Sequence, residues 1–401
     1  MANIRKRGNT YQIRVSCGYD TQGNQVVQTM TWKPTEGMTP RQIEKELQRQ
    51  AVMFEEECMQ GQITANIKFE DFAEQWFTEY AQIRLKPKSI EGYRWMSKRI
   101  YKAIGHLRLD KITARHLQKF IVSMTEEKRC DGRNKRNGRL SAKTIKEHIS
   151  MISAIFDYAI KMQILQYNPC RGVSLPKPDK EKREIYTLEE VQKMLTLFEQ
   201  EPESRFKYTL FYTMAVYTGF RRGELLGLEW KDFDFENQMV TVNRTSIYSR
   251  YKGGTYTETP KTETSYRTLK LPKEVIELLL RWRDIQSAQR EKAGDKWIDT
   301  DRIFTKWNGL TLDGNAPGQF FKSFCERTGM RYVCNHSFRH FNASVLINNG
   351  VDVKTVQSCL GHSAPTTTLS IYCHTFQAAQ IRAMDCMAET ISFKQGGKSA
   401  S

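Results

Sequence analysis

Asn335-His336-Ser337-Phe338-Arg339-His340-Phe341, then Leu360-Gly361-His362-Ser363, then Leu369-Ser370-Ile371-Tyr372-Cys373-His374-Thr375 is the stretch on which the reading of this chain turns. A histidine and an arginine three residues apart share one face of a helix. Gly361 ends the helix before it, which leaves His362 at a helix-to-loop corner, with Tyr372 a short way downstream. Nothing here has the make-up of a hydrolase: there is no activated serine, no cysteine–histidine pair and no carboxylate cluster for a metal. Cations, polarisable imidazoles and a tyrosine suit the attack of a phenol on a phosphodiester. Singly, each element has an ordinary explanation: a solvated helix face, a helix C-cap with a polar neighbour, a core or rim aromatic. Their joint order outweighs those explanations if further cations lie upstream.

At 401 residues the chain has room for two or three domains, each with its own core. It carries 62 Lys and Arg against 45 Asp and Glu, a net charge of +17. Such an excess favours a polyanionic partner, since each neutralised phosphate releases counterions. No apolar run reaches membrane-spanning length, so a membrane is not expected. The start, Met-Ala-Asn-Ile-Arg-Lys-Arg, lacks the apolar stretch of a secretory signal. The nine cysteines are scattered and never spaced C-x-x-C, which argues against a disulfide frame or a zinc site. The expected compartment is the cytoplasm, with the nucleoid as the place of work.

Two alternating runs, Thr10–Tyr19 and Gln25–Trp32, flank a D-T-Q-G-N turn and predict a hairpin, with a shorter strand over Asn3–Lys6 before it. Thr39-Pro40-Arg41-Gln42 is a capping box with Pro at N1, opening a helix to about Met59 with Ile43, Leu47, Phe54 and Cys58 on one face. Arg5, Lys6, Arg7 and Arg14 make this sheet basic, either as a solvated face or as a sheet lying in a DNA groove. Residues 61–66 read as a linker. From Phe69 to about Asn168 the pattern is helical, with Phe69, Phe72, Trp76 and Tyr80 as one apolar stripe. Ser89–Ile104 turns Tyr93, Met96, Ile100 and Ile104 inward and Arg94, Lys98, Arg99 and Lys102 outward. Ser141 caps a helix whose Ile145, Ile149, Ile152, Ile155 and Phe156 point to the core. Between these helices Lys128–Arg139 is a basic loop rich in Gly and Asn, a solvated insertion or a phosphate contact.

The charged, Pro-containing run Leu175–Arg183 is the clearest domain boundary. Thr187-Leu188-Glu189-Glu190 then caps the first helix of the largest domain. Thr218-Gly219-Phe220-Arg221-Arg222-Gly223-Glu224 follows an apolar helix. The Gly turn delivers Arg221 to the start of the next helix, where free backbone N–H groups also favour an anion; Arg222 reads as a surface cation. Strands follow over Met239–Tyr248 and Thr255–Thr259, and Lys261 is expected at a hairpin tip, where a mobile ammonium can reach a phosphate ester.

Arg221 in T-G-F-R, Lys261 in P-K-T, His336-x-x-Arg339, His362 in L-G-H and Tyr372, in that order, resemble the tyrosine recombinase (phage integrase) family over roughly residues 66–390. The N-terminal sheet-plus-helix resembles, more loosely, the arm-binding domain of integrases of phages and conjugative transposons. Ser337 departs from the Asp that the family usually has there, at a position that is not catalytic. The resemblance implies a multidomain α+β chain. A small β-sheet-plus-helix arm-type DNA-binding domain would occupy 1–62, and an all-α core-site-binding domain 66–174. A mixed, mainly helical catalytic domain with a small antiparallel sheet and a C-terminal tail would occupy 184–401.

The same resemblance implies that Tyr372 attacks a DNA phosphodiester, leaving a 3′-phosphotyrosyl link and a free 5′-hydroxyl. Arg221 and Arg339 would hold the non-bridging oxygens, Lys261 would protonate the leaving oxygen, His336 would act as acid and base and His362 as a hydrogen-bond donor. No cofactor or metal is implied. Double-stranded DNA, at core and arm sites, is the expected partner, contacted by Arg5, Lys6, Arg7, Arg14, Lys86, Lys88, Arg94, Lys98, Arg133, Lys135, Arg136 and Lys143. Strand exchange needs a tetramer on DNA, with an accessory directionality factor or a host DNA-bending protein as further partners. The amphipathic tail Phe376–Phe393, with Ile381, Met384, Met387 and Ile391 on one face, would dock on a neighbouring protomer or on its own domain. The alternatives are a type IB topoisomerase-like enzyme and a catalytically inactive DNA-binding regulator.

Overall fold

The computed structural model describes residues 2–19, 25–59, 67–126, 139–178, 184–250, 252–259 and 266–361, with 384, 385, 387, 388 and 391. The chain divides into two compact units, Met1–Glu181 and Lys182–Ser401. Both mix helices with small antiparallel sheets.

In the first unit, β1 (Asn3–Arg7), β2 (Thr10–Tyr19) and β3 (Gln25–Trp32) form an antiparallel meander, and α1 (Pro40–Met59) follows. The capping box is made: Thr39 N–H donates to Gln42 Oε1 at 2.9 Å and Gln42 N–H to Thr39 Oγ1 at 3.4 Å. Ile13 and Val15 pack with Leu47, Ala51, Phe54 and Cys58 in a small core. The register sorts the cations by face. Arg5 lies opposite Gln12 and Arg14 opposite Thr29, whereas Lys6 lies opposite Tyr11, which belongs with the core side. Because side chains alternate along a strand, Arg5, Arg7 and Arg14 share the outer face and Lys6 does not. Its ammonium sits 5.9 Å from the Tyr11 ring centroid.

A second core in this unit is helical. α2 (Phe69–Trp76) runs through a π-helical turn, Phe77–Ala81, into α3 (Gln82–Arg84). α4 (Pro87–Ile100), with Pro at N1, also ends in a π-helical turn, Tyr101–Gly105. α5 (Ala114–Glu126) and α6 (Ala142–Lys161) follow, the latter capped by Ser141 Oγ, which accepts from Thr144 N–H at 3.2 Å. Phe69, Phe72, Trp76, Ile145, Ile149, Ile152, Ile155 and Phe156 are all buried together. Arg94 faces outward as expected, but it is engaged there by a neighbouring helix. Its guanidinium lies 3.7 Å from the centroid of the Phe77 ring and donates to Glu74 at 2.5 Å. Glu74 belongs to a neighbouring helix, and a single helix's periodicity says nothing about which partner its flank will meet. Asn168 is buried and donates to Ser153 O at 3.1 Å and Asp157 Oδ1 at 2.7 Å, closing the bundle.

The second unit begins with α7 (Leu188–Glu199), whose capping box joins Thr187 and Glu190. α8 (Phe206–Thr218) is apolar nearly all round and is its central helix. After the short α9 (Arg222–Leu225) come β4 (Phe233–Asp234), β5 (Met239–Val242), β6 (Thr245–Ser249), β7 (Gly254–Glu258) and β8 (Arg267–Lys270). α10 (Lys273–Ala293), α11 (Ala316–Thr328), α12 (His336–Asn348) and α13 (Val353–Leu360) complete the unit. The strand expected over Met239–Tyr248 is broken in two. β5 pairs with β4 and β8, and β6 pairs with β7 alone. The break has a cause: Asn243 Nδ2 donates to Asp232 Oδ1 at 2.9 Å, and Arg244 pairs with both Asp232 and Glu229. These side-chain bonds compete with continued strand pairing at Asn243 and Arg244. Among the described residues no helix is long and apolar enough to cross a membrane.

Candidate active site

α8 ends at Gly219, whose φ of +61° is open to glycine at little cost. A Cβ there would lie 2.5 Å from Leu360 Cδ2 and 3.0 Å from Asn342 Oδ1, so α12 and α13 both press on this turn. α12 supplies donors to the carbonyls left over at the end of α8. Asn342 Nδ2 donates to Val216 O at 3.0 Å and Tyr217 O at 2.9 Å, and Arg339 Nη1 donates to Gly219 O at 3.0 Å. Arg339 is 2 % exposed. Two residues past Gly219, Arg221 is the N-cap of α9 and is half-buried. The fold therefore brings Arg221 and Arg339, far apart in the chain, to the same turn.

Arg221 is held from two sides. Its Nη1 donates to Glu224 Oε1 at 2.6 Å, and its Nη2 donates to Gly361 O at 2.7 Å. Its backbone N–H also donates to Glu224 Oε2 at 2.9 Å. α9 is a single turn, and the protein's own carboxylate takes the N–H of its N-cap residue. Arg222 is exposed, as expected. Gly361, at φ +64°, is the left-handed cap of α13.

Glu224 is 2 % exposed and also accepts from Arg267 Nη2 at 2.8 Å. Burial alone would raise its pKa, but the hydrogen bond and charge of Arg267, together with the charge of Arg221, hold it below the ordinary carboxylate value. Arg267 is itself buried, lies over the Phe220 ring at 4.7 Å from its centroid, and donates from Nε to Cys359 O at 2.6 Å. Neither Glu224 nor Arg267 stands out in the sequence reading. Glu224 was findable, because it sits three residues from Arg221 on one helical turn. Arg267 was not: its partners lie 43 and 92 residues away.

His336 begins α12 and is exposed, its ring 4.7 Å from that of His340 and edge-on to it. The loop before it is tied down by Tyr186. The Tyr186 hydroxyl accepts from Val333 N–H at 2.8 Å and donates to Arg331 O at 3.1 Å, and its ring stacks on Phe338. Arg331 in turn pairs with Glu190 and Glu184 at 2.8 and 3.0 Å. Ser337, the departure from the family pattern, is buried and donates to Glu184 O at 3.4 Å. Tyr212 is fully buried and donates to Pro317 O at 2.6 Å, and burial pushes its pKa well above the ordinary phenol value.

Lys261, His362 and Tyr372 lie outside the described residues, as do Arg133, Lys135 and Arg136. Among the described residues the strands flanking Lys261, β7 and β8, belong to different sheets and are not paired with each other, and the hairpin tip expected at Lys261 lies outside them. Of the other cations expected on DNA, Lys98 and Lys143 are exposed, Lys88 is exposed and paired with Glu91 at 3.0 Å, and Lys86 is a half-buried N-cap residue.

Residues 184–378 match the phage integrase family, and residues 68–125 match the phage integrase N-terminal SAM-like domain. The chain is 26 % identical over 380 residues to the ICEBs1 integrase of Bacillus subtilis strain 168, covering 94 % of this chain and 97 % of that one. It is 27 % identical over 410 residues to a tyrosine recombinase XerC-like protein of Caldanaerobacter subterraneus subsp. tengcongensis, covering 96 % and 97 %. Among solved structures, the Tn1549 transposon integrase in complex with circular intermediate DNA superposes with a TM-score of 0.65 at 21 % identity. That match covers 80 % of this chain and 99 % of the other. A lambda integrase tetramer bound to a Holliday junction gives a TM-score of 0.57 at 17 % identity, covering 92 % and 94 %.

Proposed function

This chain belongs to the phage integrase family of tyrosine recombinases, and on that premise we propose how its residues cut and rejoin DNA. It is a site-specific DNA recombinase, the integrase of a mobile element. Tyr372 Oη attacks the scissile phosphorus and gives up its proton to His336. The 5′ oxygen leaves with a proton from Lys261, and a 3′-phosphotyrosyl bond replaces the phosphodiester. Attack by the 5′-hydroxyl of a partner strand reverses these steps and releases the tyrosine, so the bond energy is kept and no ATP is needed. Arg221 and Arg339 bind the non-bridging oxygens, and His362 adds a hydrogen bond, as charge builds on the pentacoordinate phosphorus.

The observation that supports this most is the convergence of two guanidiniums, from α9's N-cap and from α12, on the Gly219 turn. Each is oriented by main-chain carbonyls: Gly361 O for Arg221 and Gly219 O for Arg339. A planar fork fixed in this way suits two oxygens of one phosphate.

We assign residues 1–62 to arm-site binding, 66–174 to core-site binding and 184–401 to catalysis. The separate cores under the N-terminal sheet and in the helical bundle support the first division. DNA is the partner, and the working assembly is a tetramer, as for the lambda integrase on a Holliday junction. Met384, Met387 and Ile391 of the tail are exposed, which favours a neighbouring protomer as the surface they cover.

The test is a nicked duplex carrying the junction between the encoding element and its host, incubated with wild type and with Tyr372→Phe and run on a denaturing gel. The wild type should give a covalent protein–DNA band that the variant lacks while still binding the duplex. Binding by the wild type without any adduct would favour the inactive regulator, and an adduct with Tyr372→Phe would mean a different nucleophile.

A further inference from the structure

Arg267 is a buried cation with no part in the chemistry above. Its side chain is 5 % exposed and faces the equally buried carboxylate of Glu224. Removing a guanidinium from water is costly unless charge and hydrogen bonds replace the lost hydration. Here they come from two different catalytic segments. Nη2 donates to Glu224 Oε2 at 2.8 Å, and Glu224 holds Arg221 through Nη1 at 2.6 Å and through the backbone N–H at 2.9 Å. Nε donates to Cys359 O at 2.6 Å, a carbonyl in the last turn of α13, where a positive charge is also favoured by the helix dipole. Two residues on, Gly361 O accepts from Arg221 Nη2 at 2.7 Å, and the next residue is His362. Arg267 is also the first residue of β8, so it fixes one end of the short connection that contains Lys261. The Phe220 ring under its guanidinium belongs to the turn that carries Arg221.

We infer that Arg267 is a positioning residue for transition-state binding: it locks α9, the end of α13 and the start of β8 into one frame, so that Arg221 is held against the scissile phosphate. This deepens the recombinase reading and rests on it. The fork geometry is what the role requires. A lysine can satisfy Glu224 but cannot also reach Cys359 O in a second, fixed direction.

The test compares strand cleavage by wild type and Arg267→Lys on the junction duplex, with either an ordinary phosphodiester or a methylphosphonate at the scissile position. The methylphosphonate lacks the negative charge that the arginines neutralise. Thermal unfolding and DNA binding are measured alongside. Arg267→Lys should remain folded and bind the duplex within about twofold of wild type. Its cleavage of the phosphodiester should fall about 100-fold, the scale of losing one preorganised charge-stabilising contact, and its deficit on the methylphosphonate should shrink to less than about 10-fold. Phe220→Leu, which removes the ring under the guanidinium while keeping an apolar side chain, provides a second variant and should show the same pattern at a smaller scale, with a deficit of about 3- to 10-fold on the phosphodiester. Full activity in both variants would overturn the inference. So would an equal deficit on the two substrates, which is the mark of a purely structural role. A wild type that binds the duplex but cleaves neither substrate would instead remove the recombinase reading, and this inference with it.

Discussion

Glu224→Gln is the perturbation with the most readable consequences. The wild-type carboxylate is 2 % exposed and accepts three donors: Arg221 Nη1 at 2.6 Å, Arg221 N–H at 2.9 Å and Arg267 Nη2 at 2.8 Å. The amide keeps the volume but removes the charge, and turns one acceptor oxygen into a donor facing other donors. Breaking one side of a buried ion pair costs about 3–5 kcal/mol, because the remaining charge stays buried without compensation. In a unit of this size each kcal/mol moves the midpoint by about 2–4 °C, so the expected drop is about 6–20 °C. The effect also depends on pH in a fixed direction. The folded-state pKa of Glu224 is depressed from an ordinary value of 4.5. As pH falls past that value, the unfolded chain takes up the proton first. The stability from Glu224 is therefore complete above about 4.5 and is lost as pH falls toward the folded-state pKa. Urea unfolding of wild type and variant, followed by tryptophan fluorescence between pH 7 and pH 3, reads this directly. The gap between the two should be widest near neutrality and narrow below about pH 4.5. A gap under about 1 kcal/mol at pH 7 would refute the reasoning, since it would fall within the range of exposed ion pairs. So would a gap that does not change with pH.

Gly219→Ala combines a left-handed backbone with a Cβ only 2.5 Å from Leu360 Cδ2, and should cost about 2–4 kcal/mol in urea unfolding while slowing covalent adduct formation. Arg14→Gln removes a charge from the outer sheet face and Lys6→Gln one from the core side. In titrations of DNA binding against salt, Arg14→Gln should therefore flatten the log–log slope by about 0.9 and Lys6→Gln should leave it unchanged. Asp352→Ala takes away the cap that accepts from Lys354 N–H at 3.0 Å and Thr355 N–H at 2.9 Å. It should lower the urea midpoint of the second unit. Replacing Met384, Met387 and Ile391 by serine should leave the affinity for a single site intact and reduce the assembled species on native gels; an unchanged assembly would place the tail on its own domain.

Where a feature depends on residues close in the chain, the sequence was sufficient. The hairpin β2–β3, the capping boxes at Thr39 and Thr187, the Ser141 cap and the Gly219 turn all stand where spacing placed them, because each is closed by bonds over two to four residues or by strict alternation. His336, Arg339 and Arg221 stood out as candidates for a related reason: these residue types in this order suit few reactions, and the fold brings Arg221 and Arg339 to one turn. Tertiary structure alone decided what lies between distant segments. The strand over Met239–Tyr248 was cut by Asp232, and Arg94 was claimed by Glu74 of another helix. The Lys6 ammonium was separated from its basic neighbours by a one-residue alternation in register. Glu224 and Arg267, the pair that holds the site together, meet only when α9, β8 and the end of α13 are packed. The charge of a buried ion pair is written in the sequence, but its partner is chosen by the fold, because only burial makes pairing energetically necessary.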